Sequence, residues 1–184
     1  MPVRALTAGM SESIVLGGGC FWCVEATFER VKGIEDLVSG YAGGHTEDPS
    51  YREVCAGTTG HAEVVRVTYD PGVISLGEVL EVFFATHDPT TKDRQGPDVG
   101  SQYRSIVLYE SDEQRERVEA FIDDAAADFD DPIVTAVEAL ETFWRAEEKH
   151  QNYYQKNPNQ PYCMAQIPPK LEKLEAKHGD LVAE

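Results

Sequence analysis

The chain reads as an α+β domain, a β-sheet carrying helices on one face. Strand-like and helix-like segments alternate from Ser13 to about Ala139, with no internal repeat and no linker between them. The connections mix tight hairpin-type turns with longer helical crossovers, which makes a fully parallel, doubly wound sheet the weaker alternative. A length of 184 residues at 41% hydrophobic content is enough for one core without disulfide staples or a structural metal, and too little for two full domains. The expected organisation is one domain over residues 1–184, with 1–11 flexible and 156–184 forming a C-terminal tail.

Each element follows from a local pattern. Ser13–Leu16 is a short apolar run that stops at Gly17-Gly18-Gly19, which predicts a buried strand and a tight turn. Phe21, Val24, Phe28 and Val31 then recur at helical spacing, so Cys20–Val31 is expected to be a helix closed by Gly33. Ile34–Tyr41 reads as a strand, and residues 44–60 as a polar loop holding Cys55. Glu63–Tyr69 is rich in β-branched residues and ends at Asp70-Pro71-Gly72, a strand and its stop. Ser75 with Glu78 three residues on is a capping box, predicting a helix over Leu76–Ala85. His87–Gln102 is a sixteen-residue stretch dense in Asp, Pro, Gly and Thr, and a loop of that length in a compact domain is more often functional than not. Arg104–Tyr109 is the next strand, Asp112–Ala127 a helix, Ile133–Leu140 a strand, Trp144–Gln155 a helix, and a Pro-bearing tail runs to Glu184.

The charge balance excludes some classes of partner. Sixteen Lys and Arg stand against 33 Asp and Glu, a formal charge of −17. A surface this acidic repels phosphate backbones and anionic headgroups, so neither nucleic acid nor a membrane is an expected partner. The acid runs around 112–119, 123–131 and 138–148 read as a solvated, solubilising face. No 18 apolar residues run together, and Met1–Ser11 is too short and polar for an export signal; the expected compartment is the reducing cytosol. There, cysteines 20, 23, 55 and 163 are better read as catalytic or metal-binding groups than as structural disulfides.

The segment Gly17–Glu25 carries the strongest chemical signal. A strand feeding a glycine turn places Cys20 at the first turn of a helix. Unpaired N–H groups and the dipole there favour an anion and are expected to lower the thiol pKa. A nucleophilic cysteine needs that setting, although an inert buried cysteine would fit the same spacing. Cys20-x-x-Cys23 also fits a redox pair, or half a zinc site completed by Cys55 with His61 or by Cys163 with a histidine; no second CxxC or CxxH supports the metal reading. A phosphate cradle lacks both of its usual glycine signatures.

Five further blocks bear on these alternatives. Gly19-Cys20-Phe21-Trp22 with Glu25, Ser39–Gly44, Thr59–Val65, His87–Thr90, Arg94–Ser105 and the stretch Glu147–Tyr154 resemble, in order, the A-type peptide methionine sulfoxide reductases. The resemblance runs from about residue 13 to 170. It implies a ferredoxin-like plait, a two-layer α/β sandwich with an added long loop and the C-terminal tail. It also implies thiol-dependent reduction of methionine S-sulfoxide, free or in proteins, back to methionine, a repair of oxidative damage.

The roles it implies make chemical sense. A sulfoxide sulfur is a poor electrophile until its oxygen is protonated, so the site needs a thiolate, a proton donor and an apolar pocket for the S-methyl group. The family's thiolate falls on Cys20, its proton donor on Glu63, and the phenols that hydrogen-bond the sulfoxide oxygen on Tyr41 and Tyr103. Phe21 and Trp22 match the aromatic walls of the methyl pocket, Asp98 a substrate-holding loop acid, and His150 a residue farther out. Cys20 would become a sulfenic acid and then a disulfide. Cys163 matches the resolving thiol in a mobile tail, Cys23 is the rival one helical turn away, and Cys55 is expected to be structural. Thioredoxin, or dithiothreitol in vitro, is the implied reductant, with no bound cofactor or metal and a monomeric chain.

Overall fold

The computed structural model describes residues 11–183; of the expected flexible segment 1–11, all but Ser11 lies outside them. Six strands form one mixed sheet: β1 (Glu12–Gly17), β2 (Ile34–Ala42), β3 (Ala62–Tyr69), β6 (Ile106–Tyr109), β7 (Ala136–Ala139) and β8 (Trp144–Arg145). Their order is β7-β6-β1-β3-β2-β8, and every neighbouring pair is antiparallel except β6 with β7. That overturns the doubly wound alternative and agrees with α+β. One face of the sheet, through Ile14, Leu16, Val65, Val67 and Val107, packs under helices α1 (Phe21–Phe28), α3 (Leu76–Thr86), α4 (Asp112–Ala125) and α6 (Pro161–His178). The other face, through Val15, Val64, Ile106 and Leu108, is covered by Ala136, Leu140 and Phe143. Alternation along β1 and β3 sends successive side chains to the two layers.

The register brings the site together. Leu16 pairs with Val65 and Gly17 with Ile106, so β1 ends at the sheet centre just as the chain turns into α1. Tyr41 stands directly opposite Glu63 across the β2–β3 ladder. The turn itself depends on missing side chains. A Cβ on Gly18 would lie 2.9 Å from the rings of His87 and Phe83, and Gly19 has φ +99° with Gln95 where its Cβ would be. His87 is stacked on Phe83, bonded through Nδ1 to the Phe83 carbonyl and through Nε2 at 2.8 Å to Ser105. Burial pulls its pKa down to about 4, so it braces the glycine turn as a neutral ring.

Four segments differ from expectation. The stretch 44–60 is not all loop: α2 (Tyr51–Cys55) starts at Ser50, whose hydroxyl accepts from Glu53 N while Glu53 accepts from Ser50 N. Residues 87–102 are not structureless. They fold into the small hairpin β4 (Arg94–Gln95) and β5 (Asp98–Val99), followed by a 3-10 turn at Ser101–Tyr103. The expected helix over 144–155 is instead the edge strand β8, a 3-10 turn at Glu148–His150 and the short α5 (Tyr153–Lys156). Here Trp144 pairs with Tyr41, the Gln151 amide bonds both Ser39 N and O at 2.9 Å, and Asn152 takes a left-handed φ of 55°. Those ties to β2 outbid helical propensity.

The last correction is the largest. The tail is not an irregular Pro-bearing segment: it forms α6, packed on α1 and α3. Cys163, Ile167, Leu171 and Leu174 recur at spacings of four, four and three and are all buried. Gln160 caps the helix by accepting from Cys163 N at 2.8 Å, and Pro161 suits the first turn. Pro168 and Pro169 lie inside α6, where each removes a backbone donor; burial of that apolar stripe outweighs the loss.

Candidate active site

Cys20 sits at the N-cap of α1, buried, where the β1 turn meets the helix. Its carbonyl accepts the first helical bond, from Cys23 N at 3.0 Å. Burial pushes the Cys20 thiol well up, and donation to Cys23 and the neighbouring Glu63 add to that; the Trp22 N–H opposes. The expected lowering by the helix start is therefore overridden. Cys23 moves the other way: contact with the Cys20 thiol draws it down against its own burial, and Lys170 and Tyr162 assist. Ionisation of either thiol disfavours that of the other, so the pair titrates as a unit.

Glu63 lies beside this pair. Only 1% of it is exposed, Oε1 accepts from Phe21 N at 3.1 Å, and Oε2 is 3.9 Å from the Cys55 thiol. Burial raises its pKa to about 8, with Asp98 and Cys23 adding to the shift and the Phe21 N–H resisting it. At neutral pH it is an acid with a proton to give. Tyr103, on the 3-10 turn, has its phenol ionisation pushed up by burial and by Glu63, Cys55, Asp98 and Cys20 around it. Tyr41 is shifted in the same direction by burial and by Glu147, Glu63 and Cys55, and its hydroxyl is already donating to Glu147 at 2.8 Å.

The aromatic wall is thicker than two residues. Phe21 packs 5.6 Å from both Tyr41 and His150, and Trp22 stacks on Tyr153 at 3.7 Å with only 6° between planes. Trp22 Nε1 donates to His150 Nδ1 at 3.2 Å, which fixes the indole and assigns the proton of His150 to Nε2. Tyr51 fills the space between, 4.3 Å from His150 and 6.1 Å from Phe21. The Glu147 carboxylate, which bonds Tyr41, also accepts from Tyr51 N at 3.0 Å. Tyr51 and Glu147 escaped the sequence reading of the site; the capping box at Ser50 was the signal that could have placed Tyr51 on a helix.

On the opposite side, a cavity of about 40 Å³ is lined by Cys20, Cys23, Asp98, Tyr162, Gln166 and Lys170, with Gly18, Gln95 and Gly96. Tyr162, from the start of α6, donates a short hydrogen bond to Asp98, and its hydroxyl is 4.0 Å from the Cys23 sulfur. Cys163 is fully buried one residue further on, and burial and Cys23 push its thiol up to about 11. Of the other thiols, Cys23 is the one whose charge bears on it. Cys55 is half-exposed at the end of α2 against Glu63. His61 is committed elsewhere, accepting from Gly44 N at 2.9 Å and bonding the Thr46 carbonyl at 2.7 Å. A larger cleft of about 960 Å³ between α3, α4 and α6 contains no cysteine.

The profile of the family described as peptide methionine sulfoxide reductase matches residues 12–181. The chain belongs to this family. A peptide methionine sulfoxide reductase MsrA of Natronomonas pharaonis is 60% identical over 175 residues, which is 94% of this chain and 98% of that protein. Among solved structures, methionine sulfoxide reductase A of Corynebacterium diphtheriae superposes with a TM-score of 0.78 at 35% identity, covering 80% of this chain and 76% of that one. Mxr1 of Saccharomyces cerevisiae in complex with Trx2 does so with a TM-score of 0.54 at 28% identity, covering 78% and 84%. The chain is an oxidoreductase that acts on methionine sulfoxide.

Proposed function

We propose that this chain reduces the S epimer of methionine sulfoxide through Cys20 and regenerates itself through Cys23 and Cys163. A buried Glu63 that keeps its proton to about pH 8 beside Cys20 supports the reading most directly. Cys20 gives its proton to solvent and, as the thiolate, attacks the sulfoxide sulfur. Glu63 protonates the departing oxygen, with Tyr103 donating a hydrogen bond to the charge developing there and Tyr41 joining it once its hydroxyl turns from Glu147. The S–O bond breaks as a second proton, from solvent, lets the oxygen leave as water. Another water then attacks the Cys20 sulfur, and the new Cys20–substrate S–S bond breaks. Methionine leaves as the thioether, Cys20 is left as a sulfenic acid, and the proton released returns to Glu63. Phe21 and Trp22 hold the S-methyl group, and His150 holds Trp22 in place. Asp98 binds the substrate backbone once Tyr162 releases it.

Regeneration follows the order of contact. The Cα atoms of residues three apart in a helix are about 5 Å apart, within disulfide range. The Cys23 sulfur attacks the sulfenic sulfur, expelling water and forming Cys20–Cys23. Cys163, on which the charge of Cys23 bears, then exchanges to give Cys23–Cys163 and free Cys20. Thioredoxin is the dithiol that reduces this second disulfide, a reading supported by the Mxr1 complex with Trx2. The protein works as a monomer in a reducing cytosol, with no bound cofactor. We also read strands β1, β2, β3 and β6 with α1 and α3 as a ferredoxin-like plait, supported by their order β6-β1-β3-β2 and by the antiparallel pairing of every neighbour.

The test is reduction of separated S and R epimers of a methionine sulfoxide peptide with thioredoxin, its reductase and NADPH. NADPH loss with the S epimer alone is expected, and Cys20→Ser abolishes it even in excess dithiothreitol. Reduction of the R epimer, or activity without Cys20, refutes the assignment.

A further inference from the structure

The cavity between the two reacting thiols and α6 has one cation on its wall. Lys170 lies on α6, seven residues beyond Cys163, and is the only Lys or Arg among the described residues lining that space. Its Nζ donates to the Thr86 carbonyl at 2.8 Å, at the C-terminal end of α3, where the helix dipole favours a cation. The same side chain also lines the large cleft, so Lys170 stands between that cleft and the cavity at the thiols. A chain with twice as many acids as bases has placed a half-buried lysine at its thiol pair.

We propose that Lys170 is a positioning residue for disulfide formation, its ammonium holding the negative charge of the thiol pair on Cys23 so that Cys23 can attack the Cys20 sulfenic acid. The inference rests on the assignment of Cys23 as the first resolving thiol. Charges face Cys23 from each side: Cys20 on its own helix, Tyr162, Cys163 and Lys170 on α6, and Asp98 on β5, with Glu63 nearby on β3. Asp98 disfavours a thiolate, and Glu63 is neutral through most of the working range. Among the described residues Lys170 is the one full positive charge opposing them, since the Tyr162 hydroxyl donates its hydrogen bond to Asp98. Lys170 itself is drawn down by burial and by Lys173, with Cys23 and Asp98 holding it up, so thiolate and ammonium support each other. Once Cys20 has become a sulfenic acid it no longer offers its thiol to Cys23, and Lys170 becomes the main support for the charge.

Lys170→Gln keeps a donor for the Thr86 carbonyl and removes the charge; Lys170→Met is a second neutral variant, and Lys170→Arg restores the charge. In a Cys20→Ser background, the tryptic peptide 5–30 carries Cys23 as its only cysteine. Its alkylation by iodoacetamide is followed against pH by mass spectrometry. The midpoint is expected to rise by about one unit in Lys170→Gln and to return in Lys170→Arg. With Cys20 present, Lys170→Gln should form the Cys20–Cys23 disulfide about tenfold more slowly at pH 7 after one turnover. An unchanged midpoint in both neutral variants overturns the proposal, because a lysine that merely fastens α6 to α3 would not move it. Cys23→Ser cycling with thioredoxin at the wild-type rate would refute Cys23 as the resolving thiol, independently of Lys170.

Discussion

Glu63 shows how one burial sets both chemistry and cost. Its carboxyl is protonated in the folded protein up to about pH 8, whereas in an unfolded chain it ionises near 4.5. Between those values unfolding releases a proton, so stability falls as pH rises, by about 1.4 kcal/mol per pH unit from this group alone. Below pH 4.5 the group is neutral in both states and contributes no pH dependence. Glu63→Gln can still accept from Phe21 N, so urea unfolding should find it more stable than wild type at pH 8 and equal to it at pH 4. Reductase activity should meanwhile fall about 10²–10⁴-fold, the usual worth of a positioned acid. The wild-type rate should also decline above about pH 8 as Glu63 loses its proton. A Glu63→Gln enzyme with near-normal activity would show that the proton comes from elsewhere.

At the scale of elements, α6 decides how the thiols meet. Ile167 is fully buried on its inner stripe between Cys163 and Leu171. Ile167→Ala should cost about 2–5 kcal/mol in urea unfolding and slow thioredoxin-driven cycling by loosening Cys163 and Lys170; a change under 1 kcal/mol would mean α6 is not part of the cooperative core. This helix was also the element least legible in the sequence. Its prolines at 168 and 169 speak against a helix locally, and the stripe that overrules them matters only once α1 and α3 are there to receive it. The strands β1 and β3 and helices α1 and α3 were legible, because each buries one face at a simple period between clear stops. Residues 144–155 misled for the opposite reason: a helical pattern was overruled by edge pairing of Trp144 and the Gln151 bridge to Ser39. In the site, Cys20 and its turn could be read from local sequence. The roles of Glu63 and Asp98 came only with the family pattern, and Tyr162 and Lys170 are brought in by α6 from 140 and 150 residues away, which no spacing encodes.

The whole molecule carries more repulsion than its ion pairs relieve. Among the described residues the pairs Arg66–Glu110, Arg117–Glu12, Arg145–Glu148 and Arg30–Glu175 are all at least partly exposed, and each contributes little. The formal charge of −17 is spread instead over unpaired acids, with a dense run along α4 and the turn after it. Like charges at that density favour expansion, and salt screens them: the Debye length falls from about 10 Å at 0.1 M to about 3 Å at 1 M. The thermal midpoint should therefore rise as KCl is raised from 0.1 to 1 M, by about 2–4 °C for each 1 kcal/mol regained in a chain of this size. The active site should respond much less, since Cys23, Glu63 and Lys170 interact across buried protein rather than across solvent. A midpoint that is flat or falls over that range would mean that the acidic face is neutral in its effect on folding, leaving solubility as its only physical consequence.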